Sequence, residues 1–107
     1  MNAKTIIISS QRYLDAEIIA AKREDNDYDV TLSPVFRLDG IDYQVVLDGH
    51  HSLAAAKADG VNPIYRVATI QDSDAIALLD SRVEDFLLAS YIDSSYYDVE
   101  TGNDIWQ

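Results

Sequence analysis

The chain contains no cysteine. That excludes a disulfide framework, a thiolate zinc site and any thiol nucleophile. It also lacks any apolar run near the ~20 residues needed to span a bilayer. The longest early run, Ile6 to Ile8, is far too short for the core of a signal peptide. A cytoplasmic location and no membrane partner are the expectations. Basic residues are scarce as well, with eight Lys and Arg against nineteen Asp and Glu and a net charge of −11 over 107 residues. Nucleic-acid-binding domains gain affinity by setting Lys and Arg against phosphates, so direct nucleic-acid binding is not expected. The deficit is uneven. Through Arg66 seven basic residues face ten acidic ones, whereas beyond it Arg82 alone faces nine. The second half therefore suits a basic protein partner, although acidity of this kind also serves solubility.

What remains is the composition of a globular protein, 48% hydrophobic and 25% charged. The length supports one domain. No internal repeat, linker or low-complexity tract divides it. We read residues 1–92 as the domain and 93–107, with Tyr96, Tyr97, Trp106 and four acids, as an acidic aromatic C-terminal tail. That tail either packs back on the body or is an exposed partner motif.

Lys4 to Ser9 is β-branched and predicts a strand. Ser10 is the expected N-cap of a helix over about Gln11 to Arg23, with Leu14, Ile18 and Ala21 on one face and Lys22-Arg23 at its cationic end. Glu24 to Asp29 reads as a solvated acidic loop. It has neither the glycine nor the final glutamate of an EF-hand. Val35 to Leu38 and Tyr43 to Leu47 predict two strands joined through Asp39-Gly40, a hairpin signal. His50 to Asp59 predicts an alanine-rich helix closed by Gly60, and Ile64 to Ile70 a further strand. Beyond Asp72-Ser73-Asp74, the spacing of Ile76, Leu79, Val83, Phe86 and Ser90 predicts one amphipathic helix or two in tandem with its stripe in the core.

Chemistry concentrates at Asp48-Gly49-His50-His51-Ser52, where a strand ends at a glycine and a helix starts at once. The first N–H groups of that helix lack intrahelical partners and, with the helix dipole, form an anion site. Ala54, Ala55 and Ala56 allow close packing of the helix on the sheet. Adjacent helical residues point about 100° apart, so the two histidines make a poor metal pair. Zinc would need two more ligands, with only Asp48 nearby, and no metal site is expected. A partly protonated histidine here would make anion binding strengthen as pH falls.

Taken with Ser33-Pro34-Val35-Phe36 before it, the run Asp48 to Gly60 resembles the ParB N-terminal and sulfiredoxin-like superfamily, which includes a group of free-serine kinases. The resemblance covers about Thr31 to Ile70. It implies an α+β fold, a small mixed sheet with a strand–Gly–helix site turn and C-terminal helices. It also implies nucleotide-phosphate contacts from Gly49, His50, His51, Ser52 and Lys57, with a nucleotide and magnesium as the cofactor. The family's arginine position is Ser52 here. Arginine offers a permanent charge and a bidentate fork, and a charge-assisted contact is worth about 1.5–3 kcal/mol. Its loss weakens phosphate binding by about one to two decades, unless Arg37, Lys57 or Arg66 compensates. Sulfiredoxin activity needs a cysteine and falls away.

Three functions follow as expectations. The first is a stand-alone regulatory or protein-binding module with a residual nucleotide-phosphate site, of a kind that looks encoded by mobile elements. The second is a nucleotide-dependent kinase or phosphohydrolase of the free-serine-kinase type, with Asp48 or Glu17 as general base. The third is an acidic DNA mimic acting as an inhibitor or immunity protein.

Overall fold

The structure is a computed structural model and describes residues 4–106. It is a mixed α+β domain built on one mixed sheet. The strands are β1 (Ile6–Ser9), β2 (Asp29–Leu32), β3 (Phe36–Leu38), β4 (Ile41–Asp48), β5 (Ile64–Val67) and β6 (Tyr97–Asp98). The helices are α1 (Ala16–Glu24), α2 (His50–Asp59) and α3 (Val83–Ala89), with a 3₁₀ helix over Asp74–Asp80. The sheet order is β5-β2-β4-β1-β6. β1 runs parallel to β4 and β5 parallel to β2, while β2 and β3 pair antiparallel with β4 and β6 antiparallel with β1.

β4 is the spine. β2 and β3 lie end to end along the edge that β1 does not use, broken at Ser33-Pro34-Val35. Proline cannot donate to a ladder, and the buried Ser33 makes good the break. Its N–H donates to the Val45 carbonyl at 2.8 Å, and its hydroxyl accepts the Val45 N–H at 2.9 Å. The β3–β4 hairpin turns at Asp39-Gly40, both with positive φ (54° and 79°), as a two-residue turn of matching twist requires.

Strand alternation divides the core between the two faces. On one face Ile8, Phe36, Tyr43 and Val45 meet Phe86 of α3, Tyr96 and the stripe from the 3₁₀ helix. Trp106 closes this cluster, its ring edge-on to Tyr43 and Tyr96 at 5.2 and 5.9 Å. The segment read as a tail thus supplies β6, Tyr96 and Trp106 to the body. On the other face Val30, Leu32 and Val46 meet Leu53 of α2 and Val99. Ala55 and Ala56 of α2 are fully buried, and α1 packs against α2 as an outer layer.

Two expectations need correction. Asp15, not Ser10, caps the first helix, with Asp15 Oδ1 accepting the Glu17 N–H at 2.8 Å. The Ser10 hydroxyl instead accepts the Ile92 N–H across 82 residues of sequence. Residues 11–14 are therefore a loop, α1 begins at Ala16, and Ile18 stays 43% exposed. The acidic loop ends early in a strand, since Asp29–Leu32 is β2. The stripe after Asp74 takes the second of the two forms its spacing allows, two elements in tandem, 3₁₀ then α.

Candidate functional site

β1 and β4 are parallel neighbours, so the chain leaves both at the same end of the sheet. One exit leads through Ser10 to the start of α1 and the other through Gly49 to the start of α2. Crevices at the carboxyl ends of parallel strands are common binding places.

Gly49 sits at φ +88°, and a Cβ there would lie 2.3 Å from the Asp29 carbonyl oxygen and 3.0 Å from the Val30 Cα. Only glycine combines that dihedral with so close a backbone. Asp48 folds over the turn, its Oδ1 accepting the Gly49 N–H at 2.8 Å. Among the described residues no side chain caps the first turn of α2.

The histidines diverge. His50 is buried, and its Nε2 has no hydrogen-bond partner among the described residues. Burial pushes its pKa down, only partly offset by the Asp48 carboxylate. His51 Nε2 accepts the Asp15 N–H at 3.1 Å, joining the starts of α1 and α2. A nitrogen that accepts is unprotonated, so His51 is a tether in this state. Ser52 is buried and donates to Asp27 Oδ1 at 3.1 Å. Asp27 also pairs with Lys22 at 2.9 Å, which is the main reason its carboxyl lies below the ordinary range.

The structure brings Asp48, Gly49, His50, His51 and Ser52 to one turn but leaves Lys57 two helical turns away. Lys57 Nζ donates to the Val99 carbonyl. Arg37 pairs with Asp42 on the hairpin at 2.9 Å, away from the turn. Arg66 and Lys22 are cations close by, both in electrostatic reach of Asp48. Asp48, Thr31 and Arg66 stand in register across β4, β2 and β5. They line a cleft of about 420 Å³ together with Asp72, Ser90 and Tyr91. Arg66 is held by Asp72 through two contacts of 3.1 and 3.3 Å.

Two residues here escaped sequence reasoning. Asp27 looked like a solvated loop acid and Asp72 like a helix starter. Asp72 does shape a turn, accepting the Thr69 N–H at 2.7 Å, but its main partner lies on β5. The Ser52 hydroxyl lies 25 residues from Asp27, beyond any local signal, whereas Lys22 and Arg66 lie only five and six residues from their carboxylates.

Burial of His50 works against the rise of anion affinity expected at low pH. Among the described residues no hydroxyl is hydrogen-bonded to either histidine, and no group of three His, Asp or Glu could hold a metal. No described helix is long and apolar enough to cross a membrane. Comparison with protein-family models, curated proteins and solved structures finds no match to this chain.

Proposed function

We propose that the chain is a protein-binding module that takes an extended, basic segment of a partner along the free edge of β5. The observation that carries this reading is that edge. Among the described residues β5 pairs with β2 on one side only, and Ile64, Tyr65 and Val67 are 61%, 43% and 52% exposed. Natural edge strands are usually covered or studded with charge. Here the single charge, Arg66, is drawn back onto Asp72. The Ile64 and Ala68 N–H groups donate toward β2, to Tyr28 and Leu32 carbonyls at 2.8 and 2.7 Å. By alternation the Tyr65 and Val67 N–H groups face outward and are free to pair. Strand addition uses such donors for affinity and alternate side chains for specificity. The basic character of the partner follows from the net −11 and from Asp29, which lies in register beside Ile64.

The test is an array of nine-residue peptides alternating Lys or Arg with Val, Ile or Tyr, screened against wild type and Val67→Pro. Binding lost in Val67→Pro and weakened by salt is the expected result. No binding, or binding indifferent to Val67→Pro, overturns the proposal. An acidic DNA mimic would give the second pattern, with steep salt dependence and no need of the Val67 N–H.

Kinship with the ParB/sulfiredoxin-like superfamily belongs to the same proposal. Its support is the order of strand, hairpin, Gly49 turn, helix and strand over Thr31 to Ile70. A residual nucleotide-phosphate site is the second component, favoured by the uncapped start of α2 beside the Arg66 cleft. Thermal-shift scans against ATP, ADP, CTP and GTP, with and without magnesium, test it. A ligand at 100 times its Kd adds about 2.7 kcal/mol, and a flat panel at millimolar ligand removes both this component and the kinase alternative.

A further inference from the structure

A second concave surface lies under the C-terminal half of α2. It is a groove of about 600 Å³ whose apolar wall is Ile6 and Ile7 of β1, Leu53 of α2, Tyr65 of β5 and Val99. Lys57 stands at its rim. Six of the eight Lys and Arg residues make ion pairs with carboxylates among the described residues. Lys57 and Arg82 do not. The other lysine at the groove, Lys4, is neutralised by Glu100 at 2.5 Å. An ammonium has three donors, and Lys57 uses one on the Val99 carbonyl. In a chain so short of positive charge, a cation without a carboxylate partner at the mouth of an apolar groove is an unmatched feature.

We propose that this groove binds a medium-chain aliphatic carboxylate, its chain along the apolar wall and its carboxylate on the Lys57 ammonium. Charge complementarity selects the head group. One available cation matches one negative charge, while Asp98 at the rim repels a dianion such as a phosphate monoester. The volume lies within the range of small-molecule sites. Tyr65, whose pKa is raised by burial and then by Glu100, stays a neutral phenol at the wall. This inference does not rest on the strand-addition reading, and its test contains no partner protein.

The experiment is an amide NMR titration of the full chain with decanoate at submicellar concentration, with decanol and decyltrimethylammonium as comparisons. Decanoate should shift the amides of Ile7, Leu53 and Val99 and bind about tenfold more tightly than decanol, as a charge-assisted contact implies. Lys57→Met should erase that preference, and Lys57→Arg should keep it. Decanol binding as tightly as decanoate, shifts confined to other surfaces, or no shift at all would overturn the proposal. The decanoate-to-decanol ratio is read on wild type, so the idea stays refutable even if Lys57→Met does not fold.

Discussion

At the scale of single residues, the two glycines that bracket α2 separate space from dihedral. Gly49 and Gly60 both have positive φ, +88° and +67°, but only Gly49 has backbone where a Cβ would go. Gly60→Ala should cost about 1–2 kcal/mol, the left-handed penalty alone. Gly49→Ala adds a backbone collision and should cost more than about 3 kcal/mol. Urea denaturation of both variants checks the contrast, and equal losses would mean the β2 backbone yields. His50 supplies a pH prediction. Its folded pKa is depressed from 6.5, chiefly by burial. Above pH 6.5 both states are neutral and the full stability is present. As pH falls below 6.5 the unfolded chain takes up a proton that the folded one resists, so stability declines toward the folded pKa. Asp27, Asp59 and Asp72, all lowered from 3.8 by their hydrogen-bonded partners, act only in more acidic solution. Denaturation midpoints between pH 7.5 and 5 should therefore fall in wild type and flatten in His50→Gln.

Among the elements, legibility followed how local the determining force was. α2 runs from His50 to Asp59 and ends at Gly60, as its sequence predicts, because glycines mark both ends. The hairpin was legible for the same reason. α1 was misplaced because Ser10 and Asp15 are both good caps, and only contact with Ile92 engages Ser10 elsewhere. β2 was hidden because four residues beginning with Asp29 carry no alternation long enough to stand out; pairing on both sides makes them a strand. β5 was foreseen as a strand, but not as an edge, since strand order is a property of the sheet. That order yields a further contrast. Val67→Pro removes an outward N–H and should leave stability within about 0.5 kcal/mol. Arg66→Pro removes an inward donor and the Asp72 ion pair, and should cost about 1–3 kcal/mol. Thermal melts of the pair would expose an error in the parity assigned to the edge.

Over the whole molecule the dominant fact is charge. The domain extends 40 × 32 × 27 Å, about the Debye length of ~30 Å at 10 mM salt. At that ionic strength every carboxylate feels the others, and a net −11 opposes compaction. Salt screens this repulsion and also weakens the six ion pairs among the described residues, but exposed pairs contribute only about 0–1 kcal/mol each. Screening should win. The melting temperature should rise by several degrees between 10 and 200 mM NaCl, and a fall would show that the ion pairs outweigh the repulsion.

The candidate site shows where the boundary between sequence and tertiary structure lies. The sequence by itself determined the turn at Gly49, the helix after it, the lack of an arginine in that helix and the scarcity of positive charge, because each is a matter of local backbone chemistry or composition. Tertiary structure alone decided what those side chains face. It buried His50, tied His51 to Asp15, gave the Ser52 hydroxyl to Asp27, set Arg66 rather than Lys57 near the turn and left β5 at the edge. The physical reason is that each of these pairings joins residues far apart in the chain, and closure of the sheet around β4 is what brings them within hydrogen-bonding distance.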